Sequence, residues 1–448
     1  MITVVGMDGS PLSPRAEAAL AAATLVAGAR RHLAAVSTLA PVPARPAATA
    51  NGLPQAQVIV LGELAPALDA LAAHDGDAVV LAAGDPGFFG IVRALRERGL
   101  ACAVLPAVSS VATAFARAGL PWDDAAVVSA HGRDPRTALN VCRAHPKVAV
   151  LTGPGCGPAE IGAALVGWDR RLIVCEHLGS AAERVTECSP AGAAERAWDD
   201  PNVVLVLAGT EAGPGRGGAT GEANGAGGTA GPGWTWPPRA VPGGWALSED
   251  EFDSRDAVLT KAEVRALALA RLAPGPGLLV WDVGAGSGSV AVECARFGAA
   301  VIAVERDAVR CERIRANAVR HGVDLRVVPG EAPGALGGLP DPDAVFVGGG
   351  GAAMIGAVAA RHPGRIVVTL AAVERAGQAI AALDAAGYAT DGALVQAARL
   401  APLPGGVHRL AATNPVFLLW GTAVTTEPAG AGDAGLPGPR GSRPGAPP

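Results

Sequence analysis

An apolar strand running directly into clustered glycines and then a helix is compatible with few folds. Leu278-Leu-Val-Trp-Asp282-Val-Gly284-Ala-Gly286-Ser-Gly288-Ser-Val290 is such a segment. Glycines are needed where a turn is tight and a ligand must approach the backbone closely. The next apolar run, Ala300 to Glu305, ends on a carboxylate that can accept hydrogen bonds from ribose hydroxyls. The pair predicts a nucleotide-type crevice at the strand ends of a doubly wound α/β sheet. A dinucleotide fingerprint wants a third glycine where Ser289 stands, so the spacing weighs against a nicotinamide cofactor.

The alternation of strand and helix extends through both halves of the chain and predicts α/β architecture throughout. In the second half, strands are expected at Leu278–Val283, Ala300–Glu305, Asp324–Val328, Asp343–Val347 and Arg365–Thr369. A closing pair, Gly392–Leu400 and Pro415–Trp420, follows, with the last strand entering antiparallel. In the first half, strands are expected at Ile2–Val5, Val58–Leu61, Ala78–Ala82 and Ala101–Leu105. After a division near Pro121-Trp122 come Ala125–Ser129, Lys147–Leu151, Arg171–Cys175 and Asn202–Leu207, so two lobes are expected.

Composition bounds the rest. With 448 residues, half of them apolar and 17% charged, the chain is globular and long enough for two domains. The Gly/Ala/Pro-rich run within residues 211–246 cannot bury enough surface to offset ordering, and is expected to be a flexible linker. The reading is therefore residues 1–210, linker 211–246, residues 247–424 and a disordered tail, 425–448.

The net charge of −5 argues against a nucleic-acid partner. No apolar run approaches the roughly 20 residues a bilayer span needs, and no membrane partner is expected. Seven cysteines without a C-x-x-C pair fit reduced thiols of a cytoplasmic protein. No metal site is expected.

Within the first half, Gly84-Asp85-Pro86 and Ser109-Ser110 each follow a predicted strand, as does the turn Gly6-Met-Asp8-Gly9-Ser10-Pro11. Loops of this kind converging on one sheet edge would form a binding crevice. Thr260 and Glu263 have capping-box spacing and predict a helix start. Lys261, Arg265, Arg306 and Arg399 are candidates for holding anionic groups, against the plainer reading of exposed surface cations. The segment Gly348–Gly351 replaces the Asn/Asp-Pro-Pro-aromatic motif of amino-group methyltransferases. It leaves room and free backbone N–H groups for a bulky substrate carrying carboxylates.

Thr260-Lys261-x-Glu263-Val-Arg265, the Trp281–Val290 segment, Val304-Glu305-Arg306, Gly330-Glu-Ala-Pro333, Phe346–Gly350 and Asn414-Pro415-Val-Phe417 together resemble the methyltransferase and decarboxylase half of precorrin-6Y methyltransferases. Val4-Val5-Gly6, Leu12-Ser13-Pro14, Gly28-x-Arg30-Arg31-His32-Leu33, Gly84-Asp85-Pro86, Ser109-Ser110 and Glu176-His-Leu178-Gly179 resemble the tetrapyrrole (corrin/porphyrin) methylases.

The resemblance implies a two-lobed tetrapyrrole methylase fold followed by a Rossmann-like methyltransferase domain, joined in the order of the fused enzyme of cobalamin (vitamin B12) synthesis. It implies a tetrapyrrole substrate and S-adenosylmethionine as methyl donor, one per domain. Methylation at carbons 5 and 15, with loss of carbon dioxide from an acetate side chain, would give precorrin-8. It further implies cofactor contacts at Thr260, Gly284, Ala285, Gly286, Ser287, Gly288, Glu305 and Ala332. The first crevice would draw on Gly84, Asp85, Pro86, Ser109 and Ser110. A homo-oligomer is expected, and no residue is assigned as acid or base. The competing reading is a class I methyltransferase acting on RNA or protein, with the first half as an accessory module.

Overall fold

The computed structural model describes residues 1–38, 56–62, 64–131, 134–209, 244–254 and 259–424. The predicted tail, Trp234, Trp236 and nearly all of the predicted linker lie outside the described residues.

Three main sheets carry the chain. The first is β1 (Ile2–Met7), β2 (Leu25–Gly28), β3 (Gln57–Val60), β4 (Ala78–Ala83) and β5 (Cys102–Leu105), all parallel, in the order β3-β2-β4-β1-β5. Helix Ser110–Ala118 crosses to the second lobe, its Phe115 fully buried there. That lobe holds β6 (Ala126–Ser129), β7 (Lys147–Leu151), β8 (Arg170–Glu176), β9 (Arg184–Cys188) and β10 (Asn202–Ala208), in the order β6-β7-β10-β8-β9. β10 is antiparallel to both neighbours. The division near Pro121 is therefore real.

The third sheet holds β11 (Leu279–Val283), β12 (Ala300–Glu305), β13 (Arg326–Pro329), β14 (Ala344–Gly348), β15 (Arg365–Leu370), β16 (Tyr388–Val395) and β19 (Val416–Ala423). Its order is β13-β12-β11-β14-β15-β19-β16, with β19 antiparallel to its neighbours. β11 and β12 are buried at every residue because helices cover both faces, as a parallel sheet requires. Trp281 is the largest of the fully buried side chains.

Three details differ from expectation. β2 and β9 were not anticipated. Between β16 and β19 the chain makes a separate hairpin, β17 (Ala398–Pro402) with β18 (His408–Ala412), where one continuous strand to Leu400 was expected. Thr260 and Glu263 do not form a capping box: helix Ala262–Leu272 has Lys261 at its N-cap with no side-chain cap, and the Glu263 carboxylate turns to Arg399.

Candidate cofactor crevices

The second-half crevice sits where β11 ends. Gly284, Gly286 and Gly288 have φ of 73°, 58° and 75°, the left-handed region where a side chain is strained. The turn delivers the chain into helix Ser289–Arg296. Glu305, 4% exposed at the end of β12, reaches back into it. Its Oε2 accepts from Gly286 N at 2.8 Å and its Oε1 from Asp307 N at 3.1 Å. Each carboxylate oxygen keeps a further acceptor site.

Two neighbouring loops close on the same point. Gly330 donates to the Glu305 carbonyl at 2.9 Å, which places the Gly330–Ala332 loop beside the acid. A Cβ on Gly348 would lie 2.7 Å from the Gly284 carbonyl oxygen, so the Gly348–Gly351 loop lies against the glycine turn.

Asp282 was not among the predicted site residues and belongs with them. It is fully buried, and its Oδ2 accepts from Ala291 N at 2.9 Å while Oδ1 has no partner. Burial, with the Glu305 charge adding, pushes its carboxyl up to about 7. Ser287 Oγ is likewise buried without a partner. Buried polar atoms left unpaired are costly, and such atoms mark places where a ligand completes the bonding. The signal for Asp282 was present in the sequence: an acid inside an otherwise apolar strand, two residues before the glycines.

Thr260 is linked to this turn indirectly. Its carbonyl accepts from Arg265 at 2.6 Å, and Arg265 Nε donates at 2.5 Å to Glu293, on the helix that follows the turn. Arg265 and Glu293 are both fully buried. This corrects the expectation for the cations. Arg265 is a structural ion-pair partner, and Arg399 is held by Glu249 and Glu263. Exposed Arg306 pairs with exposed Glu331 at 3.1 Å. Lys261 remains at an exposed helix start.

The first-half crevice is assembled differently. Gly84 N donates to the Met7 carbonyl at 2.7 Å, and a Cβ on Gly84 would lie 3.1 Å from Ser109 Cα and from Ser110 N. The loops after β1, β4 and β5 thus meet, and Gly84, Asp85, Pro86, Ser109 and Ser110 come together. Local roles occupy two side chains: Asp85 Oδ1 accepts from Gly87 N, and Ser109 caps its helix through Ala112 N.

Asp8 was missed, although it lies within the glycine turn singled out after the first strand. Its Oδ2 accepts from Val108 N at 3.1 Å, tying the β1 loop to the β5 loop. Burial opposes its ionisation, but hydrogen bonds from Ser10 and Val108 outweigh burial and hold the carboxyl below its usual value. Gly9 (φ 89°) packs on Gly179 of the second lobe so closely that a Cβ would fall 2.0 Å from the Gly179 carbonyl oxygen. The crevice therefore lies between the two lobes.

One crevice stands in each half of the chain, and each half matches a methyltransferase family. Residues 2–193 match the tetrapyrrole (corrin/porphyrin) methylases, and residues 250–422 match the precorrin methyltransferase domain. A precorrin-6Y C(5,15)-methyltransferase [decarboxylating] from Sinorhizobium sp is 35% identical over 78% of this chain and 78% of its own length. Two proteins of Salmonella typhimurium match over shorter spans. A cobalt-precorrin-6B C(15)-methyltransferase (decarboxylating) is 36% identical over 36% of this chain and 87% of its own length. A cobalt-precorrin-7 C(5)-methyltransferase is 32% identical over 41% of this chain and 89% of its own length. The chain belongs to the precorrin-6Y C(5,15)-methyltransferase (decarboxylating) family.

The family uses S-adenosylmethionine. The residues of the second crevice fit such a group: a bare glycine turn, an acid at the end of the adjacent strand, and two buried polar atoms awaiting partners. Among the described residues no helix is long and apolar enough to cross a membrane.

Proposed function

We propose that the chain methylates precorrin-6Y at carbons 5 and 15 and removes carbon dioxide from one acetate side chain, giving precorrin-8 in cobalamin synthesis. One S-adenosylmethionine serves each half, the first acting at carbon 5 and the second at carbon 15 with decarboxylation. The observation that carries this reading is the second crevice: Glu305 and Asp282 buried at adjoining strand ends around the Gly284–Gly288 turn, in a chain most of whose length is matched by a named relative. The two single-reaction relatives, each about as long as one half, support dividing the reactions between halves. The protein is read as cytoplasmic and homo-oligomeric.

When bound, S-adenosylmethionine supplies an electrophilic methyl group. The chain's own residues position the partners. Glu305 would accept from the ribose hydroxyls, Gly284, Ala285, Gly286, Ser287 and Gly288 would allow close backbone approach, and Ala332 would border the base. Thr260, tied to the turn through Arg265 and Glu293, would add a further cofactor contact. In the first crevice the backbone of Gly84, Asp85, Pro86, Ser109 and Ser110 forms the wall, with Asp8 fixing two loops together.

An electron-rich carbon of a reduced tetrapyrrole needs alignment more than a base, and alignment alone accounts for large rate factors. The Gly348–Gly351 loop leaves space and backbone N–H groups for the macrocycle's carboxylates. Decarboxylation is favoured where a carboxylate is desolvated and the electrons it leaves enter the conjugated ring.

Mass spectrometry after incubation with precorrin-6Y and S-adenosylmethionine tests the proposal. The expected product has gained two methyl groups and lost one carbon dioxide. An unchanged tetrapyrrole in the presence of demonstrated cofactor binding would contradict it.

A further inference from the structure

The two halves are docked in a way that bears on how the reactions follow one another. Helix Pro135–Ala144 of the first half lies across the starts of the second half's strands. At one end, Arg136 donates to Asp343 Oδ1 at 2.9 Å and to the Asp341 carbonyl at 3.1 Å, just before β14. In the middle, buried Asn140 donates to the Gly277 carbonyl at 3.0 Å, before β11, and to Asp343 Oδ2 at 3.2 Å. That carboxylate also accepts from Leu279 N at 2.7 Å. Beyond the helix, Arg170 Nη1 meets Asp324 at 3.4 Å, before β13, while Trp168, 7% exposed, enters the second half's core. Ten helical residues are about 15 Å long, which matches the width of four adjacent strands at about 4.8 Å spacing.

This seam is built rather than incidental. Asn140 uses both ends of its amide, since its Oδ1 accepts from buried Arg143 at 2.7 Å. Asp343 binds three donors from two halves of the chain.

The consequence is directional. The hydrogen bonds and ion pair that the helix and Arg170 make to the second half, at Gly277, Asp324, Asp341 and Asp343, all lie just before strand starts, whereas the glycine turn and Glu305 are at the strand ends. β11 alone carries the chain about 13 Å from Leu279 to Val283, at roughly 3.3 Å per residue. In the first half, β8 starts at Arg170 on the seam and runs about 20 Å to Glu176 before Gly179 reaches the crevice. The cavity in the seam, about 280 Å³, is lined by residues such as Gly167, Arg170, Asp324 and Arg326 and includes no residue of either crevice. It is smaller than the roughly 300–1,000 Å³ of ordinary small-molecule sites and could not pass a tetrapyrrole.

We infer that the second crevice opens away from the first half, so that the corrinoid leaves the protein after one half has acted and is recaptured from solution by the other. This rests on the assignment of one methylation to each half. Fusion then fixes the ratio of the two activities without enclosing the intermediate.

Two full-length variants test it: Glu305→Ala, impaired in the second crevice, and Gly9→Val, impaired in the first. At an S-adenosylmethionine concentration that saturates the intact crevice but not the impaired one, each alone should convert precorrin-6Y, or the other variant's product, predominantly by one methylation. An equimolar mixture should form the doubly methylated product with the same lag as wild type and within about twofold of its rate, at equal concentrations of each working half. In the wild-type reaction, rapid ultrafiltration should find singly methylated corrinoid in the filtrate in molar excess over enzyme. A wild-type rate tenfold or more above the mixture, or a filtrate without intermediate, would overturn release. Loss of both methylations in either variant would overturn the division of labour between halves, and this inference with it.

Discussion

The two crevices are built by opposite means. The second is one continuous segment, strand to glycine turn to helix, with a carboxylate delivered from the adjacent strand. The first is gathered from separate short loops after β1, β4 and β5, closed by Gly179 from another lobe. A local turn can be recognised from consecutive residues and is damaged chiefly by removing its charged partner. A composite crevice depends on the fit between bodies and is damaged chiefly by adding volume.

The largest expected effect comes from breaking that fit. Gly9→Val places a branched side chain against the Gly179 carbonyl, at a backbone conformation that disfavours any side chain. Overpacking and left-handed strain together cost roughly 3–4 kcal/mol. First-half cofactor binding should be lost in calorimetric titration, with the second site unaltered.

Next is Glu305→Ala, which removes an acceptor without adding volume. It should weaken the second site by about 1–3 kcal/mol, or roughly tenfold to hundredfold, with the first site unaltered. Equal damage to both sites by either variant would break the contrast.

The smallest effect is in pH. Asp282 is raised from 3.8 to about 7 by burial, so the fold favours its protonated form. The stability it contributes is full below 3.8 and is lost as pH rises to about 7. His32 in the first half runs the other way. Burial, helped by the Arg31 charge, pushes it from 6.5 down to about 4, so its contribution is present above 6.5 and lost as pH falls to about 4. In thermal denaturation between about pH 4 and 7, Asp282→Asn should remove part of the fall in stability with rising pH and His32→Phe part of the rise, by a few degrees each. Identical profiles for wild type and both variants would contradict these assignments.

The same contrast explains what could be read from the chain alone. The strands of the second half follow from regular βα alternation, and the Gly284–Gly288 turn with Glu305 was recognisable because it is built from short segments at two adjacent strand ends. The hairpin β17–β18 was not, because Ala398–Pro402 continues the apolar pattern of β16 with no turn residue between them. β2 was hidden for a related reason. Leu25–Gly28 is four residues long and follows an alanine-rich helix, so its period is invisible, and only pairing with β3 and β4 makes it a strand.

Arg265 and Arg399 were misread as free cations because ion pairing is a tertiary fact: their acids lie on other segments. In the first half the strand-end loops were visible singly. Asp8 and the Gly9–Gly179 contact needed the fold, since they join residues far apart in the chain. The Asp343–Asn140 seam is of the same kind, a buried polar link between two halves that each look self-contained.

The central proposal is two independent methyl-donor sites in one chain. Calorimetric titration of the full-length protein with S-adenosylhomocysteine measures this directly. Two equivalents per chain are predicted for wild type. Glu305→Ala should leave one tight equivalent, and Gly9→Val should leave the other. A single equivalent in wild type, indifferent to Glu305→Ala, would contradict it.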